Sequence, residues 1–135
     1  MANALYPKAK EAFLNGAINM SANTITLALV DTGVYTYSTA HQYRSDVSNS
    51  AVISTATLSN KTITSGVFDA DDATFTSVSG ANCEALIIFA DTGVQGTSRL
   101  VAYIDSATGL PILPNGGDIT VAFSSGANKI FSLWY

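Results

Sequence analysis

Two copies of Asp-Thr-Gly are the residues of this chain best placed by type to do chemistry. Asp31-Thr32-Gly33 and Asp91-Thr92-Gly93 each follow an apolar run. Aspartic proteases carry this tripeptide after a strand, where two carboxylates lie close enough to share one proton. Here Val34 and Val94 follow the glycines, where that chemistry typically has a small Ser, Thr or Ala. A chain of 135 residues is also short for two catalytic lobes. Asp and Gly are ordinary residues at strand ends, so plain turns are the expectation. Asp69, Asp71 and Asp72 form the densest acidic cluster. Oxygen-rich loops can hold calcium, but this spacing is not that of a helix-loop-helix calcium site, and a solvated turn is expected. His41 is the only histidine and Cys83 the only cysteine, which leaves no zinc set and no internal disulfide. A hydrolase would have to use His41, and no Gly-x-Ser-x-Gly accompanies it. Gly116-Gly117 precedes no helix, and no phosphate-binding loop or dinucleotide fingerprint is present. The expectation is therefore a non-enzymatic protein with no cofactor and no catalytic or metal-binding residues.

The elements that would position such groups centre on residues 83–105. Ala85 to Ala90 is the longest apolar run, and Leu100 to Ile104 is a second one. Both are short, rich in β-branched and aromatic residues, and bounded by Gly and Asp, which describes two buried strands joined by a turn. A continuous apolar run has both faces covered, so this hairpin belongs at the centre of the fold. Pro7 to Asn15 is the one convincing helix, with Pro7 suited to its first position and Gly16 to the residue after its end. Thr24 to Val30, Ala51 to Leu58, Lys61 to Thr64, Thr74 to Val78, Ile119 to Phe123 and Lys129 to Leu133 read as further strands. Ser65 to Asp72 reads as a turn-rich link, and Leu110 to Pro114 as an extended edge or connection because of its two prolines. Short strands between Gly and Asp turns predict a mainly β fold: an antiparallel β-sandwich or barrel, jelly-roll-like, with one short N-terminal helix. Residues 1–135 form a single β domain, with 1–20 a helical arm docked on the sheet. Leu27 to Val34 echoes Ile87 to Val94, although the lengths around the two copies do not support a full repeat.

Composition narrows the partners. Charged residues are only 12% of the chain, against about a quarter in an average soluble domain. Ser and Thr supply most of the remaining polarity, a surface better suited to being covered by neighbours than to free solution. The net charge is −4 and the six Lys and Arg are scattered, so direct nucleic-acid binding has no electrostatic footprint. No segment approaches a membrane span, and the N-terminus lacks the basic-then-apolar order of a signal peptide. Synthesis in a reducing cytoplasm is expected.

The long segment from Tyr35 to Asn49 interleaves Tyr35, Tyr37 and Tyr43 with polar residues. Loops of that length are usually functional or held by a partner, and Tyr is enriched where surfaces meet. The C-terminus ends on Trp134-Tyr135, which are hard to bury within one chain. Tyr6, Tyr35, Tyr37, Tyr43, Trp134 and Tyr135 are therefore the expected interface residues.

Four strings extend the reading. Asn3 to Lys8, Gly66 to Gly80, Glu84 to Gly93, and Val101 to Asp105 continuing through Gly109 to Asp118 resemble a family of small virion proteins encoded by tailed bacteriophages. The resemblance spans nearly the whole chain. It implies a structural component of the particle, and among these the capsid decoration or cement proteins are the best match to a small, acidic, low-charge β module. The implied function is to stabilise the mature head by bridging subunits of the phage major capsid protein. The implied state is a homo-oligomer, trimer or dimer, on the capsid surface, with no direct nucleic-acid or membrane contact. A head–tail connector or tail component is the alternative, and a head fibre or host-surface binding module a weaker one.

Overall fold

The computed structural model describes residues 4–105 and 110–121, together with the backbone of 131–132. Expected elements beyond these, including Trp134 and Tyr135, lie outside the described residues. The chain begins with β1 (Ala4–Leu5) and α1 (Pro7–Leu14), followed by β2 (Thr24–Val30), β3 (Val52–Thr57), β4 (Thr62–Thr64), β5 (Val67–Asp69) and β6 (Ala73–Phe75). Then come β7 (Ala85–Asp91), β8 (Arg99–Ile104), β9 (Ile119–Val121) and β10 (Phe131–Ser132). The fold is mainly β and antiparallel, with one short N-terminal helix. A five-stranded sheet is ordered β1-β8-β7-β2-β3, and two small sheets are ordered β10-β5-β4 and β6-β9.

The apolar run expected at the centre is there: β7 is the middle strand of the large sheet. It pairs with β2 from Thr24↔Asp91 to Val30↔Ala85 without a break. Paired residues share a face, and the faces alternate along each strand. Ile25, Leu27 and Leu29 therefore lie beside Ala90, Ile88 and Leu86 on one face, while Thr26, Ala28 and Val30 lie beside Phe89, Ile87 and Ala85 on the other. All twelve side chains are buried, so both faces are covered. Each large apolar side chain enclosed in this way contributes roughly 1.5–3 kcal/mol relative to exposure.

The helix ends as expected. Pro7 occupies its first turn, where a missing N–H costs nothing. Gly16 takes a φ of +80° that a side chain would resist. That turn lets Ala17 N–H donate to the Ala12 carbonyl and Gly16 N–H to the Phe13 carbonyl, satisfying the helix's last acceptors. Ala9 and Ala12 are the buried residues of the helix, which packs on β8.

One stretch differs from expectation. The turn-rich link contains β5, joined to β4 by Ser65-Gly66, both at positive φ (+52° and +77°). Two consecutive positive φ values make the tight hairpin turn whose twist matches the flanking strands. β4 thus pairs with β5, inside what the sequence pattern reads as a link.

Leu27 has no exposed surface, so Leu27→Ala should lower the unfolding free energy by about 2–5 kcal/mol in chemical denaturation. Thr26 buries a hydroxyl that has no hydrogen-bond partner. Thr26→Val, of nearly the same shape, should raise stability by about 1 kcal/mol, since an unpaired buried polar group is removed.

Candidate functional site: the tyrosine loop and the turn tips

The two Asp-Thr-Gly turns are built alike. In each, the Asp Oδ1 accepts the N–H of the glycine two residues on, at 2.8 Å in both. They stand at opposite ends of the sheet, because Asp91 pairs with Thr24 and Asp31 lies seven positions further along the same strand. At about 3.4 Å per residue that is about 24 Å, far beyond the separation at which two carboxylates share a proton. The first turn is further pinned by Glu84, whose Oε1 accepts from Thr32 N–H (3.0 Å) and Thr32 Oγ1 (3.2 Å).

The other reactive side chains have structural partners. Cys83 is buried beside Ile112, and desolvation, with Glu84 and Asp31 adding to it, pushes its thiol up to about 11. A thiol held protonated is a poor nucleophile. Asp69 lies on β5, and the Asp71 carboxylate accepts from the Asn60 amide. Among the described residues no group of three or more His, Cys, Asp or Glu comes together to hold a metal.

The tyrosine segment carries little regular structure, as expected, but its own chain holds it in place. Its ends meet where Asp31 N–H donates to the Ala51 carbonyl at 2.8 Å, and short helical turns form at Arg44–Asp46 and Asn49–Ala51. The Asp46 carboxylate accepts from the N–H groups of Gln42 (2.8 Å) and Tyr43 (3.0 Å), which hold its pKa below the usual range. Arg44 is buried; it donates to the Val47 carbonyl (2.7 Å) and Asn49 Oδ1 (3.2 Å), and its guanidinium lies 5.9 Å from the Phe89 ring centre. That set of contacts holds the loop onto the face of the sheet carrying Phe89.

The tyrosines continue the same layer. Tyr37 stacks on Tyr103 at 5.1 Å and meets Tyr6 at 5.1 Å, and Tyr35 lies 6.1 Å from Tyr103. The hydroxyls of Tyr6 and Tyr35 share a hydrogen bond of 2.9 Å, and Tyr35 Oη lies 2.8 Å from His41 Nδ1. Tyr103 pairs opposite Ile87, so this cluster covers the sheet face that Phe89 and Ile87 share. Burial pushes the Tyr6 hydroxyl far above the ordinary phenol range and Tyr35 up to about 12, and it raises Tyr37 and Tyr103 as well.

Of the expected interface residues, Tyr6 and Tyr35 are thus part of the chain's own core, at 0% and 4% exposure. Rings fully enclosed by their own chain have no surface left to give a partner. Tyr37 and Tyr43 are half-buried, Tyr43 with the Arg99 guanidinium 5.3 Å from its ring centre. The accessible apolar groups lie elsewhere. Leu14 is 90% exposed, Leu113 73%, Val94 60%, Ile63 52% and Val34 50%. Val34 and Val94 were visible in sequence as the residues completing the two Asp-Thr-Gly turns; Leu14, Ile63 and Leu113 had no signal separating them from core residues.

Comparison with known proteins adds no family: no family model and no curated protein matches the chain. No described helix is long and apolar enough to cross a membrane.

Tyr35→Phe should cost about 1–3 kcal/mol, because the hydroxyl that partners buried Tyr6 is lost. Tyr6→Phe should cost less, since Tyr35 keeps His41. Both read out as shifts in a denaturant midpoint. A phenol whose pKa is raised on folding contributes stability that is intact below its unfolded value and is lost as pH climbs through the folded one. Stability should therefore begin to fall above the ordinary tyrosine value of about 10 and keep falling through about 12. A melting temperature unchanged across that window would contradict the buried cluster.

Proposed function

We propose that this protein is a non-enzymatic structural protein of a tailed-bacteriophage virion: a capsid decoration or cement protein that stabilises the mature head by bridging major capsid protein subunits. The observation that carries this reading is the surface. Only 12% of residues are charged, and large apolar side chains stand exposed at separated points: on the end of α1, on both Asp-Thr-Gly turns, on β4 and beside Pro114. Scattered apolar contacts on a rigid antiparallel body suit an assembly in which many copies each add modest burial and the lattice sums them. The resemblance of residues 3–8, 66–80, 84–93, 101–105 and 109–118 to small phage virion proteins supports the same reading. The proposed partners are the major capsid protein and further copies of this chain, as dimer or trimer, with no direct nucleic-acid or membrane contact. The place of action is the capsid surface, after synthesis in the host cytoplasm.

Copy number in purified particles tests this. Quantitative mass spectrometry against the major capsid protein should give copies on the order of hundreds, as a lattice-wide partner requires. About six or twelve copies would assign the chain to a connector or tail ring instead. Absence from particles would overturn the virion reading altogether. Particles stripped of the protein should also release their genome at a lower temperature, and adding it back should restore the original value.

A further inference from the structure

We infer that β4 is a self-pairing edge: two copies of the chain join through antiparallel β4–β4 contact across a two-fold axis at Ile63. β4 is the outermost strand of its sheet, and Thr62, Ile63 and Thr64 are all exposed. An open strand edge is normally guarded by a charge, a proline or a bulge, and Thr62-Ile63-Thr64 has none of these. The charge next to it in sequence, Lys61, is turned back on its own copy, where its amine donates to the Asn23 carbonyl.

The backbone of Ile63 is free to bond outward. The two-residue Ser65-Gly66 turn makes the flanking pair, Thr64 and Val67, exchange hydrogen bonds. In an antiparallel ladder the next pair, Ile63 and Phe68, does not, so the Ile63 N–H and C=O point away from β5.

The occupant follows from the sequence of the edge. Thr-Ile-Thr reads the same in both directions, so an antiparallel copy sets Ile63 against Ile63 and Thr62 against Thr64. A two-fold contact requires this self-complementarity, and Thr–Thr and β-branched pairs are favourable cross-strand neighbours. The same register sets Lys61 opposite Ser65, so no like charges meet. Ile63 also stands at the rim of an apolar cleft of about 310 Å³ lined by Phe13, Ile18, Met20 and Phe68. Pairing sets the second Ile63 on that same face and removes both half-exposed side chains from water. The inference deepens the self-association in the proposed function, but it needs only a second copy of the chain and stands apart from any capsid.

Sedimentation of the purified full chain from micromolar to millimolar concentration tests it. The expected result is a dimer that Ile63→Lys weakens by about tenfold or more, since like charges would meet on the axis. Ile63→Cys should cross-link two copies under mild oxidation, because residues in a hydrogen-bonded antiparallel pair have Cα atoms about 5.5 Å apart, within disulfide reach. Thr74→Cys, exposed on β6, should not cross-link. Unchanged melting temperatures in each variant show that the fold is intact. A chain monomeric throughout, an oligomer indifferent to Ile63→Lys, or equal cross-linking at both positions would overturn the proposal. None of these outcomes depends on the virion reading, which stands or falls on copy number in particles.

Discussion

The unbroken pairing of β2 with β7 is the constraint on which the rest of the structure depends. Seven residue pairs, from Thr24–Asp91 to Val30–Ala85, run without a bulge, and only the Thr24–Asp91 pair reaches solvent. Because side chains alternate, a slip of one residue would exchange the two faces along the whole strand. With both faces apolar, such a slip would not expose polar groups to the core. Register has to come from shape, and from Glu84, which clamps the first Asp-Thr-Gly turn just before β7 begins. β3 and β8 then add outside β2 and β7, each with one irregularity in its pairing, between Leu29 and Val30 on one side and between Ile88 and Phe89 on the other.

The faint internal echo in the sequence acquires a geometric meaning here. Leu27 is equivalent to Ile87 in the echo, and Ala28 to Ile88; in the sheet Leu27 pairs with Ile88 and Ala28 with Ile87. The two copies are therefore related by a local two-fold axis through the middle of the strand pair. β3-β2-β7-β8 is symmetric about it, and the two Asp-Thr-Gly turns are its symmetric ends. The same symmetry that repeats the turn keeps its two carboxylates apart, so the repetition of the motif argues against shared chemistry rather than for it.

The elements most legible in the sequence were those whose signal is local. β2 matches its expected bounds, β7 and β8 differ from theirs by one residue, and α1 ends where Gly16 allows. β5 was missed because Val-Phe-Asp is three residues long and sits between turn formers; the Ser-Gly pair before it was a hairpin signal that composition alone read as a link. Tyr6 and Tyr35 were read as surface residues for a different reason. Tyr is equally at home on a contact surface and in a core that offers its hydroxyl a partner, and sequence does not show the partner. Here Tyr6, Tyr35 and His41 supply one another across 29 and 6 residues of chain, a relation no local pattern encodes.

The asymmetry between the two halves explains where the exposed apolar groups fall. After β7 the chain returns through a compact turn, in which Ser98 Oγ donates to the Val94 carbonyl and accepts from Thr92 N–H. After β2 it instead runs from Asp31 to Ala51, and that longer path lies flat on the sheet, fixed by Arg44 at one end and Tyr35 and Tyr37 at the other. The insertion supplies the second layer of the core. Tyr35 and Tyr37 are spent on Tyr103, and Arg44 on Phe89, so what the layer leaves outside is hydroxyls, few charges, and single aliphatic side chains at turns and at an open strand edge. A surface of that kind favours many shallow contacts over one deep pocket, and repeated copies in a lattice are the setting in which shallow contacts suffice.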